Sequence, residues 1–301
     1  MLHSERLTLG NHVFDWGKKT YLMGVLNVTP DSFSGDGLFH TDDQYVEDDI
    51  ARLVEESLTQ AGEFVAAGVD ILDVGGESTR PGADIVDIDT ELKRVIPVVN
   101  SLSREFDIPI SIDTYKHQVA QAALEAGAEM VNDVWGLQAD PEMAPTIAKY
   151  GAPVILMHNR SSWAHADIKE SLGGRYIGVP YDNLMEDIQR ELLGSVDLAH
   201  SAGITDEMII LDPGIGFGKS VEQNLELVNS LQSIRGLGYP ILYGPSRKSF
   251  IGYTLEKPPD QRLAGTAAAV AVGIVRGADI IRVHDVNFMQ QVAEMTDAIV
   301  R

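Results

Sequence analysis

MIILDPGIGFGK (208–219) decides the fold: a continuous apolar run ends on an aspartate, a proline and a glycine-rich turn. Apolar residues at every position, with no alternation, mark a strand buried on both faces, as in a parallel sheet. The pattern repeats along the chain. YLMGVLNV (21–28), DILDVGG (70–76), PISID (109–113), EMVNDV (129–134), PVILMH (153–158), YPILYG (239–244) and DIIRVH (279–284) are further short runs of this kind, most of them passing into polar or glycine-rich residues.

Amphipathic stretches lie between these runs. In 45–67, Ile50, Leu53, Val54, Leu58, Ala61, Phe64 and Val65 keep the helical period. Further helices are predicted over 91–105, 116–126, 141–150, 181–202, 221–231, 262–276 and 287–300. Eight strands alternating with eight helices predict an α/β protein with a single (β/α)8 TIM barrel. Spacing alone leaves an open doubly wound sheet as the alternative. No Pro/Gly/Ser-rich linker divides the chain, so residues 1–301 are read as one domain. Residues 1–18 read as a short hairpin, HVFDWGKKT, expected at the bottom of the barrel. The segment 159–180 is a long irregular connection, a length that marks loops as functional or mobile, and it is assigned no role.

Composition narrows the function classes. The 301 residues contain no cysteine, which excludes disulfides, thiolate metal sites and cysteine nucleophiles. No apolar run is long enough to span a bilayer, and MLHSERLTLGNHVFDW lacks a secretory pattern. A soluble cytoplasmic protein is expected. A net charge of −22 argues against a nucleic-acid partner and otherwise reads as a solvated acidic surface. Cations are scarce, yet Arg80, Lys219, Arg247, Lys248 and Arg282 fall inside motifs.

The polar residues gather just after the strand ends, the face on which barrels build active sites. NVTPDSFSGDG (27–37) and GGESTRPG (75–82) read either as plain connections or as binding loops. Asp113, Asn132-Asp133 and Asp212 end three strands and form a candidate ring of acceptors for an N–H-rich ligand. PGIGFGK (213–219) lacks the spacing of a nucleotide P-loop. In GPSRKSFIG (244–252), Ser246 is a candidate helix N-cap that would leave backbone N–H groups near residues 247–249 for an anion. Arg282 and His284 share one strand face and converge on the same place. His158 is read as a hydrogen-bonded core histidine, since no second histidine stands at metal-ligand spacing.

NVTPDSF, GGESTRPG, SIDT, ND, DPGIGFGK, SRKSF and RVH, in this order at successive strand ends, resemble the signature set of the dihydropteroate synthase family. That resemblance implies a transferase of folate biosynthesis. It would be a Mg²⁺-using, pterin-binding barrel, dimeric and a sulfonamide target, that joins 6-hydroxymethyl-dihydropterin pyrophosphate to p-aminobenzoate. Carried over motif by motif, Asp113, Asn132, Asp212, Phe217, Lys248 and Arg282 would hold the pterin. Asn27, Arg282 and His284 would hold the pyrophosphate, with Asn27 also on the metal. Phe33, Thr79, Arg80, Pro81 and Ser249 would hold p-aminobenzoate, and Asp113, Lys248, Arg282 and His284 are the implied catalytic set. Departures from the family pattern are the tip SGDGL in the first loop, Pro245 ahead of Ser246, and a 159–180 segment longer than in many members.

Two alternatives remain at this point. A methyltetrahydrofolate-type methyltransferase shares the pterin-binding barrel but has no use for Arg80-Pro81, Ser249 or a pyrophosphate anchor. A silent paralogue would bind pterin without turnover.

Overall fold

The structure is a computed structural model in which residues 2–29, 47–78, 83, 85–162, 166–169 and 172–301 are described. It begins with an antiparallel hairpin of β1 (Arg6–Leu9) and β2 (His12–Asp15), in register from Arg6↔Asp15 to Leu9↔His12. Gly10 makes the turn at φ +52, a conformation that suits glycine. HVFDWGKKT therefore supplies only the second strand, and the turn lies upstream of where the sequence placed the hairpin.

The barrel strands follow as β3 (Tyr21–Asn27), β4 (Ile71–Gly75), β5 (Ile110–Asp113), β6 (Met130–Asp133) and β7 (Val154–Met157). A second hairpin, β8 (Ala166–Lys169) with β9 (Gly173–Tyr176), precedes β10 (Ile209–Asp212), β11 (Leu242–Tyr243) and β12 (Ile280–Val283). The large sheet runs β10-β7-β6-β5-β4-β3-β12-β11 with parallel pairing throughout. The parallel bridge Leu211↔Ile241 joins β10 back to the run leading into β11. That closure makes the sheet a barrel and excludes the open doubly wound alternative.

The crossovers carry α1 (Glu47–Ala66), α2 (Ile88–Glu105), α3 (His117–Ala126), α4 (Met143–Tyr150) and α5 (Leu184–Ser201). After β10 come α6 (Val221–Asn229) and α7 (Leu231–Arg235). α8 (Ser249–Leu255), α9 (Leu263–Val275) and α10 (Val286–Val300) complete the chain. Local chemistry sets the boundaries. Asp87 accepts the Thr90 N–H at 2.9 Å, so α2 starts three residues before the apolar periodicity shows it. Ser220 and Gln223 form a capping box that starts α6 directly after the glycine-rich turn. The single helix expected over 221–231 is two, broken at Ser230.

Two apolar layers hold the barrel. The outer one packs helices on strands, for example Val95, Val98, Val99 and Leu102 of α2. The inner one fills the bottom: Met23, Ile71, Met130, Ile155, Ile210, Leu242 and Ile280 point inward and meet Leu7, Leu9, Phe14 and Trp16 of the first hairpin. Phe14, Trp16 and Tyr21 pack ring to ring at 4.9–5.8 Å. The hairpin thus closes the N-terminal end of the barrel, as the sequence suggested, and leaves the other end for chemistry.

Candidate active site

Side chains two apart on a strand share a face, so each inward strand position above the apolar layer is set by the one below it. Two residues on from Ile71, Met130, Ile210 and Ile280 stand Asp73, Asn132, Asp212 and Arg282. Asp113 takes the same place on β5, beside Gly75 on one flank and Asn132 on the other. A Cβ at Gly75 would meet the Asp113 Cβ at 3.4 Å, so the glycine leaves room for the carboxylate.

Arg282 knits this layer together. Its Nε donates to Asp73 Oδ2 at 2.6 Å and a terminal nitrogen donates to Asp113 Oδ2 at 2.7 Å. Asn132 donates to the same Asp73 oxygen at 3.2 Å. Burial pushes Asp113 up to about 7 against the pull of Arg282, with the Asp73 carboxylate adding to the rise. Burial also pushes Asp212 up to about 6, although the Gly214 N–H donates to it at 2.7 Å and Lys248, Arg282 and Lys219 favour its charge. Burial works against the Arg282 charge, but Asp73 and Asp113 outweigh it and hold the guanidinium firmly protonated. Asp113 and Asp212 thus stand raised toward neutral pH around the Arg282 guanidinium.

The glycine-rich turn supplies the adjoining wall. Gly214, Gly216 and Gly218 all have φ between +67 and +86, which explains the alternating glycines of PGIGFGK. The turn presents Phe217, and the Lys248 Nζ sits 4.0 Å over that ring. On its other flank Tyr176 stacks at 6.2 Å between centroids. A cavity of about 470 Å³ opens there, lined by Phe217, Tyr115, Trp135, Tyr176, Asn159 and Glu77 among others. At its rim Glu77 accepts from the Tyr115 hydroxyl at 3.2 Å and from Lys116 at 2.7 Å.

Asn27 ends β3, paired with Gly75 and partly exposed. The His284 N–H donates to Ser246 Oγ at 3.2 Å, and its Nδ1 lies 3.0 Å from the same oxygen. Ser246 is therefore not the helix cap expected from sequence. α8 starts at Ser249 with Lys248 at the cap position. The Arg247 N–H is taken by Thr266 Oγ1 and the Lys248 N–H by the Pro245 carbonyl, so two of the N–H groups expected to bind an anion are already engaged. Arg247 is tied to Asp285 at 2.5 and 3.0 Å.

Asp133 is also removed from the ring. The strand period turns it away from Asn132, and its carboxylate accepts the Trp135 and Leu137 N–H groups at 2.8 Å. His158 is a core histidine, bonded to Glu191 and Lys219, and burial lowers it to about 2, so it stays neutral. Phe33, Thr79, Arg80 and Pro81 lie outside the described residues.

Sequence reading missed three contributors. Asp73 is a carboxylate inside an otherwise apolar strand and fully buried, a cost that is itself a signal. Lys219 stands out in the sequence only as one of the scarce cations, yet it is buried beneath the turn. Tyr176 lies on β9 in the segment that had no role. That hairpin is fastened by Arg262, which donates to the Leu172 carbonyl at 2.6 Å, and by Arg175 over the Tyr253 ring at 4.2 Å.

The profile of the family described as pterin binding enzyme matches residues 23–284. A dihydropteroate synthase of Clostridium beijerinckii is 47% identical over 296 residues, covering 98% of this chain and 100% of its own. Among solved structures, a dihydropteroate synthase of Clostridium difficile with pteroic acid has a TM-score of 0.83 and 49% identity, covering 96% of this chain and 99% of its own. That of Xanthomonas albilineans with 4-aminobenzoic acid has a TM-score of 0.84 and 36% identity, covering 98% of each chain. Barrel, ordered strand-end motifs and near-full-length similarity agree: the chain belongs to the pterin-binding enzymes and, within them, to the dihydropteroate synthase family.

Proposed function

We propose that the chain joins 6-hydroxymethyl-7,8-dihydropterin pyrophosphate to p-aminobenzoate, giving 7,8-dihydropteroate and pyrophosphate. One observation carries the reading: Asp113, Asn132 and Asp212 stand in a single inward layer beside a firmly protonated Arg282. A pterin ring edge carries amino and N–H donors, and carboxylate and amide oxygens are what such an edge needs. Phe217 and Lys248 form a flat, cationic wall beside them for the ring face.

The chemistry breaks the bond between the pterin methylene and the pyrophosphate oxygen and forms a bond from that carbon to the aryl amine, which then loses a proton. The pterin ring delocalises positive charge at the methylene, so the transition state is loose. The aryl amine is already a neutral nucleophile and needs no strong base. What remains for the protein is to hold the leaving anion and aim the amine. Arg282 and His284 face the leaving group, and Ser249 at the start of α8 takes the p-aminobenzoate carboxylate. Phe33, Thr79, Arg80 and Pro81 complete that pocket in this proposal.

Among the described residues there is no cluster of three acidic or histidine side chains that could cage a metal. Mg²⁺ binds through one or two protein oxygens plus substrate phosphates, and the hard amide oxygen of Asn27 at the barrel mouth fits that mode. When bound, the ion would supply Lewis-acid neutralisation of the pyrophosphate oxygens.

Incubation with both substrates and Mg²⁺, with pyrophosphate release measured, tests the reading. Pterin binding without release would make the chain a silent paralogue. Methyl transfer in place of release would make it a methyltransferase.

The proposal extends to assembly. α9, LAGTAAAVAVGIV, has no charged residue, and Val272, Val275, Phe288, Met295 and Ile299 of α9 and α10 are exposed. Such a patch suits a homodimer interface, and sedimentation equilibrium checks it. No described helix is long and apolar enough to cross a membrane, and the cytoplasm is the proposed compartment.

A further inference from the structure

Lys219 is buried, with 2% of its surface exposed, yet no carboxylate is in ion-pair contact with it among the described residues. Its ammonium donates to the Gly214 carbonyl at 2.8 Å and the Phe217 carbonyl at 3.1 Å, and lies 3.0 Å from His158 Nδ1. His158 is neutral, so all three partners are dipoles. An ammonium buried among dipoles alone is costly, and its position shows what the charge is for. Gly214, gripped through its carbonyl, donates its own N–H to Asp212 Oδ1 at 2.7 Å. A Cβ at Gly214 would stand 1.8 Å from the His158 carbonyl oxygen, so the turn is locked between Lys219, His158 and Asp212.

We propose that Lys219 is a positioning residue of the pterin site: its charge behind the turn keeps Asp212 ionised, and its hydrogen bonds aim Asp212 and Phe217 at the pterin. The inference rests on the assignment of pterin to Asp212. The charged groups facing Asp212 are Lys248, Arg282 and Lys219, and those facing Lys219 are Asp212, Lys248, Arg160 and Glu191. Burial lowers Lys219 to about 7 while it raises Asp212 to about 6, so each favours the charged form of the other near neutrality. Outward, His158 Nε2 meets Glu191 Oε2 at 3.0 Å, and Glu191 pairs with Arg160. This links the buried ammonium to a carboxylate that reaches solvent.

The test is calorimetric binding of 6-hydroxymethyl-7,8-dihydropterin pyrophosphate at pH 6.0 and 8.5 to the unaltered chain, Asp212→Asn, Lys219→Gln and Glu191→Gln. Lys219→Gln keeps N–H donors but removes the charge. A rise of one unit in Asp212 lowers its ionised fraction about fivefold at pH 6.0 and less than about 1.5-fold at pH 8.5, and the binding penalty should follow. Loss of packing alone would give the same penalty at both values. Glu191→Gln removes the carboxylate that favours a charged Lys219 and should shift binding the same way, about twofold at pH 6.0. It carries the test if Lys219→Gln does not fold. A penalty independent of pH, or no penalty, in the variant that folds overturns the proposal. If the unaltered chain binds at neither pH, the substrate assignment fails and takes the proposal with it. If it binds, and binding is lost in Asp212→Asn, a flat Lys219→Gln penalty removes the proposal alone.

Discussion

The two ends of this barrel are built from the same strands, and the residues that separate them are two positions apart. At the bottom, Ile71, Met130, Ile210 and Ile280 face Phe14 and Trp16 in a dry apolar layer. One step up, Asp73, Asn132, Asp212 and Arg282 face a mouth where burial has pushed Asp113 to about 7 and Asp212 to about 6. The lower layer gains free energy from burial at every contact. The upper layer costs free energy to keep charged and is held by the rigidity of the lower one. Stability and chemistry are thereby separated along the barrel axis, within about 7 Å given the rise of a strand.

If that separation is real, removing a residue from each end should have opposite consequences. Trp16→Ala deletes a buried ring from the hairpin plug and should destabilise the fold by about 3–5 kcal/mol in denaturant titration. Its kcat/KM, measured well below the melting temperature, should stay unchanged. A large fall in kcat/KM would mean that the plug shapes the mouth, and the comparison would break.

Asp212→Ala should do the reverse. Losing a charged acceptor and leaving a pterin donor unpaired should cost roughly 3 kcal/mol of pterin affinity, about a hundredfold, by calorimetry. Its folded pKa of about 6 lies above the ordinary 3.8, so the stability cost of the group is absent below 3.8 and fully present above about 6. At pH 7.5 the variant should therefore melt no lower than the unaltered chain.

Asp113 sharpens the same contrast through pH. Burial raises its pKa to about 7, so it gains charge as pH rises through neutrality. Pterin affinity should increase about twentyfold from pH 6 to 8, about tenfold of it through Asp113 and about twofold through Asp212. In Asp113→Asn the rise should shrink to the smaller part due to Asp212. An unchanged pH profile would show that Arg282 already keeps Asp113 ionised.

The smallest effect concerns the surface around both ends. A net charge of −22 should repel the anionic substrates at long range, while Lys248 and Arg282 attract only nearby. Salt screens the long-range part first, since the Debye length is about 10 Å at 0.1 M. Added monovalent salt should then raise kcat/KM for p-aminobenzoate by about twofold between roughly 20 and 200 mM, with Mg²⁺ saturating. A steady fall would show that attraction at the mouth governs encounter.

Much of this molecule was legible in the sequence. The β/α alternation announced eight parallel strands, the opening residues a hairpin at the bottom, and one motif per strand end the positions of Asp113, Asn132, Asp212, Lys248 and Arg282. These are local or periodic facts, because a buried strand must be apolar and its inward face repeats every second residue. What stayed hidden depends on distant partners. Whether the sheet closes rests on one bridge, Leu211↔Ile241, between runs thirty residues apart. Ser246 has the chemistry of a cap, but His284 takes its hydroxyl, 38 residues away. Asp73 looks like a misplaced charge until Arg282, 209 residues on, donates to it. The free energy of a buried polar group is decided by what else the fold brings within about 3 Å. A one-dimensional pattern states the period of a strand, but only the tertiary structure chooses the partner.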